Sequence, residues 1–129
     1  MIFEVNREYS NFQVTKLDIT WRYEGKLQSA SFPYDIAIYD IDDEHAFLIG
    51  DLGCVYLLPY DNSEKEYFSI SSNTDLEYYY IEKSTISPTG YLIVLNPLRG
   101  EHLNKWGDLV QFELDIKKRT IGNKIGIKR

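Results

Sequence analysis

The chain has little of what staples small proteins together or carries their chemistry. One cysteine, Cys54, excludes an intrachain disulfide. Set inside an apolar run, it reads as a buried and inert thiol. No apolar run approaches the roughly 20 residues that cross a bilayer as a helix. No basic-then-apolar leader opens the chain, so the protein is expected to be soluble and cytoplasmic, with no membrane partner. The histidines, His45 and His102, number only two, and no Cys or third His stands in register with them, which argues against zinc. There is no glycine-rich phosphate cradle and no nucleophile elbow beside Cys54 or a serine. The expectation is therefore a non-enzymatic protein with no cofactor and no metal.

Helical periodicity is also missing. No segment longer than about ten residues repeats its apolar positions at helical spacing. Roughly eight to eleven short strands at about 8–12-residue spacing take its place. Leu17, Ile19, Trp21 and Tyr23 alternate with Asp18, Thr20 and Arg22, the pattern of a strand with one buried face. Glu24-Gly25 turns the chain back on itself. Between residues 34 and 61 three strands follow, broken by Asp42-Asp43-Glu44 and by Gly50-Asp51-Leu52-Gly53. Residues 91–95 form the most apolar run and read as a central strand. Residues 96–108 are the longest irregular stretch, with room for one short helical turn. The expectation is an all-β fold, an antiparallel meander sheet or sandwich of short strands, with at most one short helical turn. At 129 residues a single domain over 1–129 is expected, with 122–129 a mobile basic tail. Trp21, Ile38, Leu48, Val55, Leu57, Leu92, Val94 and Phe112 are expected in the core.

Two stretches can be laid over each other at an offset of about 45 to 55 residues. The first comprises residues 36–41, 46–53 and 55–57, and the second residues 81–90, 91–94 and 106–115. Ile86-Ser87-Pro88-Thr89-Gly90 before an apolar strand, and Gly107-Asp108 before the next, resemble WD-type β-propeller blades. Pro59-Tyr60-Asp61 and Glu113-Leu114-Asp115 stand where such blades end in Trp-Asp. The resemblance implies a locally blade-like fold and a role in docking other proteins.

Lysine and arginine are absent from residues 27–64, which hold eight acids: Asp35, Asp40, Asp42, Asp43, Glu44, Asp51, Asp61 and Glu64. Six bases and no acid follow between 117 and 129. The net charge of −6 thus divides into −12 over residues 1–116 and +6 in the remainder. Such a field repels nucleic acid and attracts basic proteins. Counted as a calcium loop from Asp40, the acids fall at several ligand positions, but His45 stands where glycine is required. Eleven tyrosines suit strands and also binding surfaces.

The expected partner-binding residues are Asp40, Asp42, Asp43, Glu44 and Asp51, with Tyr60, Tyr78, Tyr79 and Tyr80. The expected function is an acidic protein-binding module, most concretely an immunity-type inhibitor of a basic, nuclease-like toxin. The alternative is a small β-rich enzyme or carbohydrate-binding domain using the 96–108 loop, with His102 and Asp108. A homo-oligomer formed through a sheet edge is compatible with either.

Overall fold

The computed structural model describes residues 1–70 and 75–128. Residues 71–75 read in the sequence as a polar loop, and all of them but Asp75 lie outside the described residues, as does Arg129. The fold is all-β, with three antiparallel sheets and a single 3-10 turn among the described residues. No helix among them is long and apolar enough to cross a membrane.

The first sheet joins β1 (Phe3–Ser10), β2 (Gln13–Tyr23) and β3 (Lys26–Phe32) in that order. The alternation along β2 is realised: Leu17, Ile19 and Trp21 are buried, while Asp18, Thr20 and Arg22 face outward. Glu24 and Gly25 both take positive φ, at 51° and 77°, the twist a two-residue hairpin loop requires. The sequence marks a first strand over residues 1–5 and a polar connection over residues 6–11, but β1 runs on, because the polar residues 6–10 continue to pair with β2 as far as Ser10↔Gln13. β3 stops at Phe32, paired with Leu17, where Pro33 ends ladder pairing.

The second sheet has the order β4 (Ala37–Ile41), β5 (Ala46–Asp51), β6 (Cys54–Pro59), β7 (Glu66–Tyr67). The third runs β8 (Leu76–Lys83), β9 (Tyr91–Pro97), β10 (Leu109–Asp115), β11 (Thr120–Lys128), each strand paired with the next. Leu92, Ile93, Val94 and Leu95 of β9 are all buried, as a strand covered on both faces must be. Seven of the eight expected core residues are buried, while Ile38 is half-buried. Cys54 is half-buried too, since it opens β6 directly after the Gly53 turn (φ 76°).

Residues 122–128, expected to be a mobile tail, instead form most of β11 and pair with β10 from Asp115↔Thr120 to Leu109↔Lys128. Glu113 explains part of this. Its carboxylate accepts the Asn123 N–H at 3.0 Å, and Gly122 leaves it room, since a Cβ there would come within 2.7 Å of the carboxylate. Among the described residues the only helical element is the 3-10 turn at Asp42–Glu44, and residues 101–105 contain no helix.

By contacts the chain divides into two compact units. Unit 1 is Met1–Ile49 with Leu57–Lys65, and unit 2 is Gly50–Tyr56 with Glu66–Arg129.

Candidate functional site

Unit 1 is organised on a cluster of aromatic rings. Phe47 of β5 lies edge-on to Phe3 at 5.2 Å, to Trp21 at 5.0 Å and to Tyr60 at 5.3 Å between ring centroids, the geometry that aromatic quadrupoles favour. The Trp21 indole N–H donates to the Tyr60 carbonyl at 2.8 Å. Tyr60 also meets the rings of Tyr23 and His45.

Tyr60 is therefore part of the core, only 2% exposed, and does not line a surface as the sequence suggests. Its hydroxyl donates to the Asp40 carboxylate, which also lies 3.4 Å from the Met1 amino nitrogen. Asp40 is thus turned inward. Burial pushes the Tyr60 hydroxyl well above the usual tyrosine range, helped by the hydrogen bond to Asp40 and the charges of Asp40 and Asp42.

The sign of the pH effect follows. Below about pH 10 the phenol is neutral in folded and unfolded chains alike, and its contribution to stability is complete. Above that pH the unfolded tyrosine ionises first, so stability falls. Urea unfolding of wild type and Tyr60→Phe checks this. Wild type should be the more stable near pH 8 by about 1.5–3 kcal/mol, the range for a hydrogen bond to a charged group. The gap should narrow above about pH 10; parallel pH profiles would contradict the assignment.

This cluster supports the acidic turn. Between β4 and β5, Asp42, Asp43 and Glu44 form one 3-10 turn. His45 closes it in the left-handed conformation (φ 50°), its N–H donating to the Asp42 carbonyl at 3.0 Å. The Tyr60 N–H donates to the His45 carbonyl at 2.9 Å, tying the turn to the buried tyrosine. Asp42 and Asp43 are exposed and Glu44 is half-buried. The turn is a fixed platform for carboxylates.

The other expected site residues lie in unit 2. Asp51 is half-buried, and its carboxylate accepts the Leu52 N–H at 2.6 Å, holding the hairpin loop. Tyr79 of β8 is 59% exposed, while Tyr78 and Tyr80 are half-buried. A register shift between Tyr78 and Tyr80 marks a bulge, and the Tyr79 and Tyr80 rings meet at a 54° tilt with centroids 5.4 Å apart. The expected set thus divides between the acidic turn of unit 1 and a tyrosine strand of unit 2.

The charges divide even more sharply. Unit 1 holds 11 acids and 5 bases, a net of −6, whereas unit 2 holds 9 of each. Two of the bases near the C-terminus are paired within unit 2: Arg119 to Glu66 at 2.9 Å and Lys128 to Glu82 at 3.4 Å. The entire net charge of the protein therefore belongs to unit 1.

Unit 2 also carries a feature that sequence reasoning missed. Leu98, Leu103 and Trp106 are at least half exposed, Trp106 at 74%. Their loop is well tied. The Asn104 side chain accepts the N–H groups of Trp106 and Asp108 and donates to the Asp108 carbonyl, and the Lys105 ammonium lies 5.0 Å from the Trp106 ring centre. A tryptophan between the glycines at 100 and 107, in a polar stretch, was the available signal. The His102 ring packs edge-on against Phe112 at 5.2 Å.

Among the described residues no group of three or more His, Cys, Asp or Glu side chains is placed to hold a metal ion. In comparisons with protein-family models, curated proteins and solved structures, nothing matches this chain.

Proposed function

We propose that the chain is a non-enzymatic binding module whose unit 1 docks on a basic protein, in the manner of an inhibitor that covers the phosphate-binding surface of a nuclease-type toxin. The observation that carries this reading is the confinement of the whole net charge to unit 1, together with an exposed carboxylate turn seated on a buried aromatic cluster. A nuclease must hold phosphates and so presents a basic surface. Fixed carboxylates mimic those phosphates and raise the association rate without chemistry of their own. The blade resemblance of the sequence, as a further proposal, points to the same docking role.

The test titrates the protein against purified basic nuclease domains, the product of the adjacent gene first among them. One equivalent should abolish nuclease activity. Failure of every such domain to bind below about 1 μM, roughly −8 kcal/mol, would overturn the reading.

The exposed Trp106 favours a second reading for unit 2, a stacking platform for a sugar ring. Trp21 is buried and Trp106 is exposed, so glycan binding should quench mainly the solvent-exposed emission, and Trp106→Ala should abolish that response. Fluorescence unchanged across a glycan panel would sink this second reading.

A further inference from the structure

The first sheet has a knob at one end and a hollow at the other. Beyond the last β3 pair, Leu17↔Phe32, residues 8–16 continue as a two-stranded ribbon in which every residue but Val14 is exposed. Such a ribbon is marginal by itself. At its tip Phe12 is fully exposed, and Tyr9 is 65% exposed. Asn11 and Phe12 both take positive φ, at 52° and 66°. For a bulky residue that conformation is an outlier, costing about 1–3 kcal/mol. Asn or Gly would make the same two-residue turn at less cost. Folding of a single copy thus gives no reason for a phenylalanine there.

At the opposite end, residues 1–4 and 20–22 with Leu27 line a cleft of about 530 Å³, within the roughly 300–1,000 Å³ of ligand pockets. Its rim includes Ile2, 91% exposed, and Leu27, 66% exposed. The Arg22 guanidinium in its wall has no hydrogen-bond or ion-pair partner among the described residues. Tip and cleft sit at opposite ends of the eight-residue β1, about 26 Å apart at strand rise, so one copy cannot fill its own cleft.

We propose that Phe12 of one copy seats in the cleft of a second copy, and the reverse, closing a two-fold dimer. Knob and hollow lie on one sheet, so an antiparallel arrangement of two such sheets satisfies both contacts at once and leaves none over, as closed symmetry requires. The ring enters between Ile2 and Leu27, and the unpartnered Arg22 guanidinium covers its face. A central aromatic in a pocket is the usual energetic anchor of an interface. Each copy carries −6 in unit 1, so the two copies repel at long range and added salt strengthens their association. For the basic partner of the preceding section the sign is opposite. The two ideas can therefore fail separately.

The test is sedimentation velocity of the full chain from about 1 μM to about 1 mM, in roughly 50 and 300 mM sodium chloride. A monomer–dimer equilibrium that tightens with salt is expected. Phe12→Asn keeps the turn and removes the ring; it should leave the monomer at least as stable while weakening the dimer by about 30-fold or more. Leu27→Asp should weaken the dimer similarly with unchanged circular dichroism. An equimolar mixture of the two variants should partly recover association, since one supplies the tip and the other the cleft. A monomer at every concentration, a dimer indifferent to both variants, or species larger than a dimer would overturn the proposal.

Discussion

Phe47→Ala is expected to lower the unfolding free energy by about 3–5 kcal/mol, the cost of deleting a large buried ring. Domains of ordinary stability have only about 5–15 kcal/mol in total, so the variant should be marginal near room temperature. The size of the effect follows from position. Phe47 is completely buried and touches the rings of Phe3, Trp21 and Tyr60, each from a different segment of unit 1. No single neighbour can move in to close the void. Urea unfolding gives the magnitude, and near-ultraviolet circular dichroism reports whether Trp21 and Tyr60 keep their packing. A loss below about 1 kcal/mol would show that the cluster does not hold unit 1 together. Because Tyr60 anchors the acidic turn through the His45 carbonyl, the same variant should also weaken partner binding wherever it remains folded.

Gly50→Val is the second large effect, about 2–3 kcal/mol of destabilisation. Strand propensity alone says the reverse, since glycine weakens strands and valine favours them by up to about 1 kcal/mol. Space decides the matter. A Cβ at Gly50 would lie 2.7 Å from Ile81 Cγ1, 3.0 Å from Ile81 Cδ1 and 3.1 Å from the Tyr78 hydroxyl. Ile81 is 3% exposed and cannot swing out. Gly50 does not have the positive φ that would call for glycine on conformational grounds. Removing both γ-carbons of the neighbour should relieve the clash, so Gly50→Ala combined with Ile81→Ala should cost less than the sum of the two single changes. Strict additivity in urea unfolding, or a stabilised Gly50→Val, would contradict this packing.

How much of this was legible in the sequence depended on which strands have one wet and one dry face. Leu17, Ile19 and Trp21 announced β2 because their alternation records burial directly. The ribbon at residues 8–16 is wet on both faces, so no alternation marked it, and residues 6–11 read as a connection. β11 was obscured by Gly122, Gly126 and the lysines between and beside them, although Ile121 and Ile125 are half-buried. The acidic turn was legible from charge alone. The burial of Tyr60 was not, since a tyrosine beside Pro59 and Asp61 at the end of a strand suits a binding surface equally well, and only the rings of Phe47 and Tyr23 show otherwise. No change of composition marks the boundary between the units, which falls inside β5 and β6.

The most direct measurement is stopped-flow association of wild type and the Asp42→Asn, Asp43→Asn, Glu44→Gln triple variant with a basic nuclease domain across salt concentrations. If these carboxylates steer docking, the triple variant should associate about five- to tenfold more slowly at low salt and show a shallower salt dependence. Its stability should hold or rise, because like charges in one turn repel one another. Identical association rates, dissociation rates and salt slopes in the two proteins would remove the turn from the interface and contradict the acidic docking face of unit 1.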